Sequence, residues 1–213
     1  MISSYEFWEK KQRKYNDAAW IHEPNFFALE VAERVAKGDE LLDLGCGQGQ
    51  DSVFFAKAGA RVTAADFSPF ALLQFDAAAQ AVGIRQVELD LRQTPYPFDD
   101  GQFDVVYSHL SLHYFAEDVT RSIFAEIARI LRPGGLLLAT FNSVKDAECG
   151  MGTQLESHFF ELEPGDCKRF LDEEQLRHFG TRLFQIGEIS FGQGTRKKEE
   201  DQFVRLIATR TEV

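Results

Sequence analysis

Apolar and polar residues follow two different spacings along this chain. Short runs rich in apolar residues have the length of buried β-strands, at residues 40–44, 61–66, 86–91, 103–108 and 136–141. Segments with a helical period, or with helix start and stop residues, lie before and between these runs, at residues 3–20, 24–36, 50–59, 68–83 and 118–131. Strands that alternate with helices predict a parallel sheet covered by helices on both faces.

The spacing changes after residue 141. Residues 142–171 contain several glycines and a proline and show no clear period. Connections of this length in a compact domain are usually functional, so we predict that this segment is a lid over a substrate. A helix is predicted at 172–180, and two strand-like runs at 182–192 and 200–210 flank a charged turn, which predicts a closing hairpin.

Composition and charge narrow the expected partners and compartment. The net charge is −11 and the pI is about 4.9, and an acidic surface repels phosphate backbones, so nucleic acid is not the expected partner. The three cysteines, an odd number without a CxxC pair, argue against a disulfide framework or a zinc ribbon. The chain shows no signal-peptide core and no membrane-spanning run, so we expect a cytoplasmic protein without a membrane partner.

The stretch "LLDLGCGQGQDS", at residues 41–52, holds the most informative motif. It predicts a strand that ends in a glycine-rich turn, where backbone N–H groups can approach a ligand. Asp66 stands at the end of the second predicted strand, 21 residues after Gly45, which is the spacing of an acid that binds ribose hydroxyls. The motif therefore predicts a site for a nucleotide-like cofactor.

Two details of the turn separate the candidate cofactors. A dinucleotide-binding turn needs glycine or alanine where this chain has Gln50, and the glycine stands at Gly49 instead. The carboxylate of Asp43 is unfavourable beside a pyrophosphate but favourable beside a cationic ammonium group. Both details make an NAD-dependent oxidoreductase the less favoured hypothesis.

Three ordered blocks, "LLDLGCGQGQDSVFFAKAGARVTAADFSPFAL", "FDDGQFDVVYSHLSLHYF" and "ILRPGGLLLATF", resemble the class I S-adenosylmethionine-dependent methyltransferases. The likeness covers residues 20–141, and "AAWIHEPNFF" further resembles the small bacterial tellurite-resistance and thiopurine methyltransferases. With the order of elements, the resemblance implies a Rossmann-like three-layer αβα sandwich. Its mostly parallel seven-stranded sheet would end in a C-terminal antiparallel hairpin, within a single domain at 1–213 that begins with a helical segment at 1–37.

The resemblance also implies a role for individual residues. Asp43 would hold the methionine amino group of S-adenosylmethionine, directly or through water, and Asp66 would bind the ribose hydroxyls. The remaining residues expected at the cofactor would contact the methionine part through backbone groups (Gly45, Cys46 and Gly47), cover or bind the adenine (Phe67, Asp90 and Leu91) and lie near the transferred methyl (Ser108).

A general base is needed only if the methyl acceptor arrives protonated. The candidates lie just after the fourth predicted strand, where His113, His109 and Tyr114 can reach the site. Histidine titrates near neutral pH, which suits proton transfer, although a packed or pocket-lining histidine is the more favoured interpretation. The two histidines are four residues apart, but the segment is a strand end and no third ligand is marked, so we expect no metal.

The function expected from the sequence is transfer of a methyl group from S-adenosylmethionine to a small-molecule nucleophile, leaving S-adenosylhomocysteine. Three ordered motifs, a compact chain and the lack of an added recognition domain favour this hypothesis. A methyltransferase that acts on protein or RNA, and a non-catalytic protein that binds the cofactor, stay open as alternatives.

Overall fold

The computed structural model describes residues 4–16, 18–193 and 202–212. Its strands, in chain order, are β1 (Glu40–Leu44), β2 (Arg61–Asp66), β3 (Arg85–Glu88), β4 (Phe103–His109), β5 (Leu131–Asn142), β6 (Thr153–Glu156), β7 (Phe159–Glu163), β8 (Asp166–Arg169), β9 (Phe184–Gln193) and β10 (Gln202–Arg210). Its α-helices are α1 (Ser4–Tyr15), α2 (Phe26–Glu30), α3 (Gln50–Ala58), α4 (Pro69–Gln74), α5 (Asp76–Val82), α6 (Glu117–Ile130) and α7 (Glu173–Gly180).

Seven strands form the main sheet in the order β3-β2-β1-β4-β5-β10-β9. The first five pair in parallel, and β10 runs antiparallel to both of its neighbours. The strand order reverses between β1 and β4, where Asp43 pairs with Tyr107. In open sheets of this kind, ligands bind beyond the carboxyl ends of the strands at such a reversal.

Helices cover both faces of the sheet and bury two apolar cores. One core includes residues of α6 and α7 such as Phe124 and Phe179, and the other includes Phe27 of α2 and Phe55 of α3. Successive residues of β1 point alternately into the two cores, because side chains of a strand alternate between faces. The predicted three-layer sandwich with a mostly parallel seven-stranded sheet is confirmed.

Several predicted elements differ from the observed ones. The helix predicted at 68–83 is two helices that meet at Phe75, whose buried ring occupies the space that a Cβ on Gly49 would need. The helical segment 24–36 is the short α2 followed by a 3-10 turn at Ala32–Arg34. The third strand ends at Glu88 rather than at residue 91. The strand predicted at 136–141 starts earlier, at Leu131, so the "RPGG" sequence lies within β5.

The segment 142–171, for which the sequence showed no period, contains the antiparallel sheet β6-β7-β8. We call this three-stranded sheet the insertion. Its strands have only four or five residues, which is too short for a clear alternation of burial. Arg169 anchors it, because this buried guanidinium donates hydrogen bonds to the carbonyls of Phe115 and Ser157 and pairs with Glu156.

The C-terminal hairpin is observed as β9 and β10, which pair along their full length. The charged turn predicted between them lies at residues 194–201, outside the described residues. At the other end of the chain, the predicted helix 3–20 is observed as α1 followed by a 3-10 turn at Ala19–His22.

Candidate functional site

The glycine turn follows β1 at the strand-order reversal. Gly45, Gly47 and Gly49 all have positive φ, a conformation that is costly for other residues. The N–H groups of Gly45 and Cys46 donate to the Ala65 carbonyl at 2.8 and 3.0 Å, which folds the turn back against β2. A Cβ on Gly45 would overlap the side chain of Ser111. The turn is therefore a tight backbone surface that tolerates no side chain at this point.

Asp66 ends β2 beside the glycine turn. Its carboxylate accepts hydrogen bonds from the N–H groups of Gly47 at 2.8 Å and Ser68 at 2.9 Å. Burial raises the pKa of the Asp66 carboxyl to about 6, although these hydrogen bonds oppose the rise. Ser68 in turn caps α4 by accepting from the Ala71 N–H at 3.1 Å, so the position of Asp66 is fixed by the start of a helix.

Asp43, near the end of β1, is buried under the same turn. The hydroxyl of Ser52 donates to its carboxylate at 2.5 Å. Burial, together with the nearby charge of Asp51, raises the pKa of the Asp43 carboxyl to about 8. A third buried carboxylate, Asp51, accepts hydrogen bonds from Asn25 and from the hydroxyl of Tyr107 at 2.8 Å.

These three buried carboxyl groups form an acidic cluster at the reversal, and the raised pKa of Asp43 keeps that member protonated at pH 7 in the ligand-free chain. Within the described part of the chain, no Lys or Arg forms an ion pair with Asp43, Asp51 or Asp66. Buried charge is costly unless an opposite charge compensates it. The site is therefore suited to a ligand that carries a positive charge.

A cavity of about 340 Å³ opens beside β2, and we call it the β2 cavity. Asp66, Phe67, Asp90 and Leu91 are among the residues that line it. The carboxylate of Asp90 is held by the guanidinium of Arg92 through three hydrogen bonds, the shortest of 2.7 Å. Partial burial raises the pKa of Asp90, but the contacts with Arg92 outweigh it and lower the pKa below its ordinary value.

Two further cavities adjoin the β2 cavity. The glycine-turn cavity, of about 160 Å³, is lined by Asp43, Gly45, Cys46 and Gly47 among others. The insertion cavity, of about 440 Å³, lies against the three-stranded insertion. Three side chains line all of these cavities, and they are Trp8, Leu110 and Tyr114.

Helix α1 covers the site with aromatic residues for which the sequence left two interpretations open, a cover over cofactor and substrate or packing of the helix onto the sheet. Trp8 packs against Tyr114 with ring centroids 4.6 Å apart, and Tyr5 meets Phe67 edge-on at 5.6 Å. The side chain of Gln48 donates to the Gln12 carbonyl at 2.8 Å, which ties α1 to the glycine turn. The sequence signal was the aromatic face of this helix, which does not reveal what the face contacts.

The serines at the end of β4 and just after it differ in their access to the cavities. Ser108, predicted to lie near the methyl group, is fully buried and donates to the Leu44 carbonyl at 2.8 Å. Ser111 donates to the same carbonyl at 2.6 Å and lines the β2 cavity. Ser111, rather than Ser108, therefore faces the open space, and its neighbour Leu110 has a positive φ of 55° that turns the chain toward the cavities.

The three predicted base candidates occupy different surroundings. His109 lines the glycine-turn cavity, and burial lowers its pKa to about 4. His113 is fully buried, lines none of the three cavities, and has no hydrogen-bond partner among the described residues for either ring nitrogen. Tyr114 lines all three cavities, and burial raises the pKa of its hydroxyl. The catalytic roles of these residues stay predictions.

No helix in the part of the chain that the structure describes combines the length and the apolar character needed to cross a membrane.

Comparison with known proteins agrees with this geometry. Residues 42–139 match the family described as a methyltransferase domain. An uncharacterized methyltransferase of Synechocystis sp. is 36% identical over 103 residues, covering 48% of this chain and 46% of that protein. The malonyl-[acyl-carrier protein] O-methyltransferase of Serratia marcescens is 36% identical over 102 residues, covering 47% of this chain and 37% of that protein. The matched segment thus spans less than half the length of these relatives.

A solved structure extends the likeness to the whole fold. The 1,6-didemethyltoxoflavin-N1-methyltransferase of Burkholderia thailandensis, solved with 1,6-didemethyltoxoflavin and S-adenosylhomocysteine, superposes with a TM-score of 0.72 at 19% identity. The superposition covers 100% of this chain and 92% of that one. The predicted resemblance to the class I methyltransferases is confirmed in the methyltransferase domain at 42–139 and in the fold, and the narrower likeness to tellurite-resistance and thiopurine methyltransferases stays a prediction.

Proposed function

Because the chain has the fold and the domain of the class I S-adenosylmethionine-dependent methyltransferases, we propose that it transfers a methyl group from S-adenosylmethionine to a small-molecule nucleophile. One observation carries the proposal. The glycine turn, Asp43 and Asp66 meet at the strand-order reversal and open onto two adjoining cavities. This arrangement combines a backbone surface, buried carboxyl groups and an aromatic-lined space at one place in the sheet.

The residues of the site fit the proposed cofactor. The buried carboxyl groups carry no basic partner of their own within the described residues, so a cationic ligand would stabilise their ionised forms. The ammonium and the sulfonium of S-adenosylmethionine are both cationic. The β2 cavity has the volume of a small-molecule pocket, about 300–1,000 Å³ by general experience. Phe67 offers an apolar face to an adenine ring, and Asp66 can accept further hydrogen bonds through its free lone pairs.

Each predicted contact is carried forward as part of this proposal. Asp43 would hold the amino group and Asp66 the ribose hydroxyls. The remaining contacts would come from the glycine-turn backbone (Gly45, Cys46 and Gly47), from the adenine side (Phe67, Asp90 and Leu91) and from beneath the turn (Ser108). Since Asp90 is engaged by Arg92, its carboxylate would need to keep a lone pair for the adenine amino group.

S-adenosylmethionine supplies a methyl group that is already activated for displacement, so the chain mainly has to position the acceptor and exclude water. Trp8, Leu110 and Tyr114 stand where the three cavities adjoin, and their side chains would line the path between cofactor and acceptor. His109 is neutral at pH 7, since its pKa is about 4, and can accept a hydrogen bond but is a weak base. Its place in the glycine-turn cavity favours His109 over His113 for contact with a ligand.

The insertion cavity favours a small acceptor. Its volume of about 440 Å³ matches one small molecule, and α1 and the insertion enclose it from two sides. The lid role predicted for 142–171 is proposed on the same ground, since this segment supplies one wall. A second role for α1, as the other wall, is proposed from Trp8 and from Tyr15 at the end of that helix.

Isothermal titration with S-adenosylmethionine and S-adenosylhomocysteine tests the proposal. We expect both to bind the wild type, and Asp66→Asn to lose at least about tenfold in affinity, because a buried hydroxyl loses a charged acceptor. Asp104→Asn is the matched control, since Asp104 lies on β4 outside the lining of the three cavities. Absence of binding by either compound at millimolar concentration would overturn the proposal.

A further inference from the structure

The insertion cavity shares none of the predicted cofactor residues, although it adjoins both cavities that contain them. Its walls come from α1, from the insertion and from Phe203 of β10. Trp8, Leu110 and Tyr114 are its shared boundary with the other two cavities. A ligand in this space would therefore lie beside the cofactor site without competing for it.

Asp166 is the distinctive polar group of this cavity. Its side chain lines the cavity, the residue is only 4% exposed, and Oδ1 has no hydrogen-bond partner among the described residues. Oδ2 lies 3.7 Å from the ammonium of Lys168, but that ammonium is closer to Glu148, at 2.6 Å. Native proteins seldom leave a buried acceptor without a donor, and each exception calls for an explanation.

The backbone around Asp166 holds this carboxylate in place. Asp166 begins β8 and pairs with Glu163 across a two-residue turn. The other end of β8 is held by Arg169, whose backbone N–H donates to the His113 carbonyl at 2.7 Å. The unsatisfied oxygen is therefore a feature of an ordered hairpin.

The remaining walls restrict what could satisfy this oxygen. The rings of Trp8 and Tyr114 present aromatic surface, which favours a planar apolar body. Three acids and three lysines line the cavity (Glu148, Glu163, Asp166, Lys11, Lys14 and Lys168), so its lining is balanced in formal charge and does not select the charge of a ligand. A planar molecule with a hydrogen-bond donor for Oδ1 of Asp166 meets both conditions.

We propose that the insertion cavity binds the methyl acceptor, and that the acceptor is a planar heteroaromatic molecule that donates an N–H or O–H hydrogen bond to Oδ1 of Asp166. The identification of this ligand as the methyl acceptor rests on the proposed function. The binding of such a molecule does not, and it can be measured without turnover.

Ligand-observed NMR titration with matched probes tests the inference. The probes are benzimidazole, indole and 2-aminoquinoline, each paired with a partner that lacks the donor (1-methylbenzimidazole, 1-methylindole and 2-methylquinoline). Titrations are run on the full chain with saturating S-adenosylhomocysteine. We expect at least one donor probe to bind at least about fivefold more tightly than its partner.

Substitutions locate this preference. Asp166→Ala should abolish the difference between paired probes, and Asp166→Asn, which keeps the side-chain shape, should reduce it. Glu163→Gln is the matched control, because it removes the same charge from an exposed side chain lining the same cavity and should leave the preference intact. Thermal melts check that each variant is folded. If Asp166→Ala does not fold, the test rests on Asp166→Asn.

The outcomes separate this inference from the proposed function. If S-adenosylhomocysteine fails to bind the wild type, the proposed function fails, and the probe titrations are then read on the chain alone. If S-adenosylhomocysteine binds but no donor probe binds, or paired probes bind equally, the inference is overturned and the proposed function stands. A donor preference that survives both Asp166 variants also overturns it.

Discussion

Asp43→Asn should make the ligand-free protein less sensitive to pH than the wild type. In the folded chain, burial and the nearby Asp51 raise the pKa of Asp43 from its ordinary value of 3.8 to about 8. Between those two values the folded state holds a proton that the unfolded state has lost. The stability due to this protonation is fully present below pH 3.8 and is lost as pH rises through about 8.

The size of the effect follows from the width of that window. Each pH unit is worth about 1.4 kcal/mol for one proton, so the wild type should lose about 3 kcal/mol from Asp43 between pH 5 and pH 7. Asparagine has no proton to lose, so the variant lacks this slope. Asp66, whose pKa is raised to about 6, contributes a slope of the same sign to both proteins and cancels in the comparison.

Urea unfolding at pH 5, 6 and 7, followed by tryptophan fluorescence, measures the difference. We expect the stability of Asp43→Asn relative to the wild type to increase steadily over this range. Asp104→Asn is the control, because the pKa of Asp104 is shifted in the opposite direction. The Glu40 N–H and Arg132 overcome partial burial and lower this pKa, so the contribution of Asp104 to stability does not change above pH 5. Parallel pH profiles for the wild type and Asp43→Asn would refute the reasoning.

Two further substitutions test the packing that holds the site. Gly45→Ala should destabilise the fold more than Gly83→Ala in thermal melts, because both glycines have positive φ but only the Cβ on Gly45 would overlap Ser111; equal losses would contradict the close approach. Arg169→Met should lower the free energy of unfolding in urea by about 3 kcal/mol, because it leaves buried acceptors unpaired. Arg177→Met, the control, removes an exposed ion pair and should lower it by about 0.5 kcal/mol. A small loss for Arg169→Met would show that the insertion does not depend on this anchor.

The sheet and its glycine turn could be predicted from sequence because their signals are local. The strands at 40–44 and 61–66 match the observed β1 and β2, since each is a short apolar run bounded by turn residues. Asp43 and Asp66 could be placed at strand ends for the same reason. These two carboxylates meet at the reversal because each lies at the end of its strand.

The features that sequence reasoning missed depend on contacts between distant segments. The break at Phe75 arises where its ring packs against Gly49, and no local pattern records that contact. The strands of the insertion are obscured because Arg169, a residue type that is usually exposed, is buried by partners elsewhere in the chain. Trp8 could be assigned to the aromatic residues of a helix, but no local pattern shows that its side chain borders three cavities.

A crystal structure of the complex with S-adenosylhomocysteine tests the central claim most directly. The claim predicts the adenine against Phe67 in the β2 cavity, the ribose hydroxyls on Asp66, the amino group at Asp43 and the sulfur directed toward Tyr114 and the insertion cavity. S-adenosylhomocysteine bound away from the glycine turn, or bound there with its sulfur directed away from the insertion cavity, would contradict it.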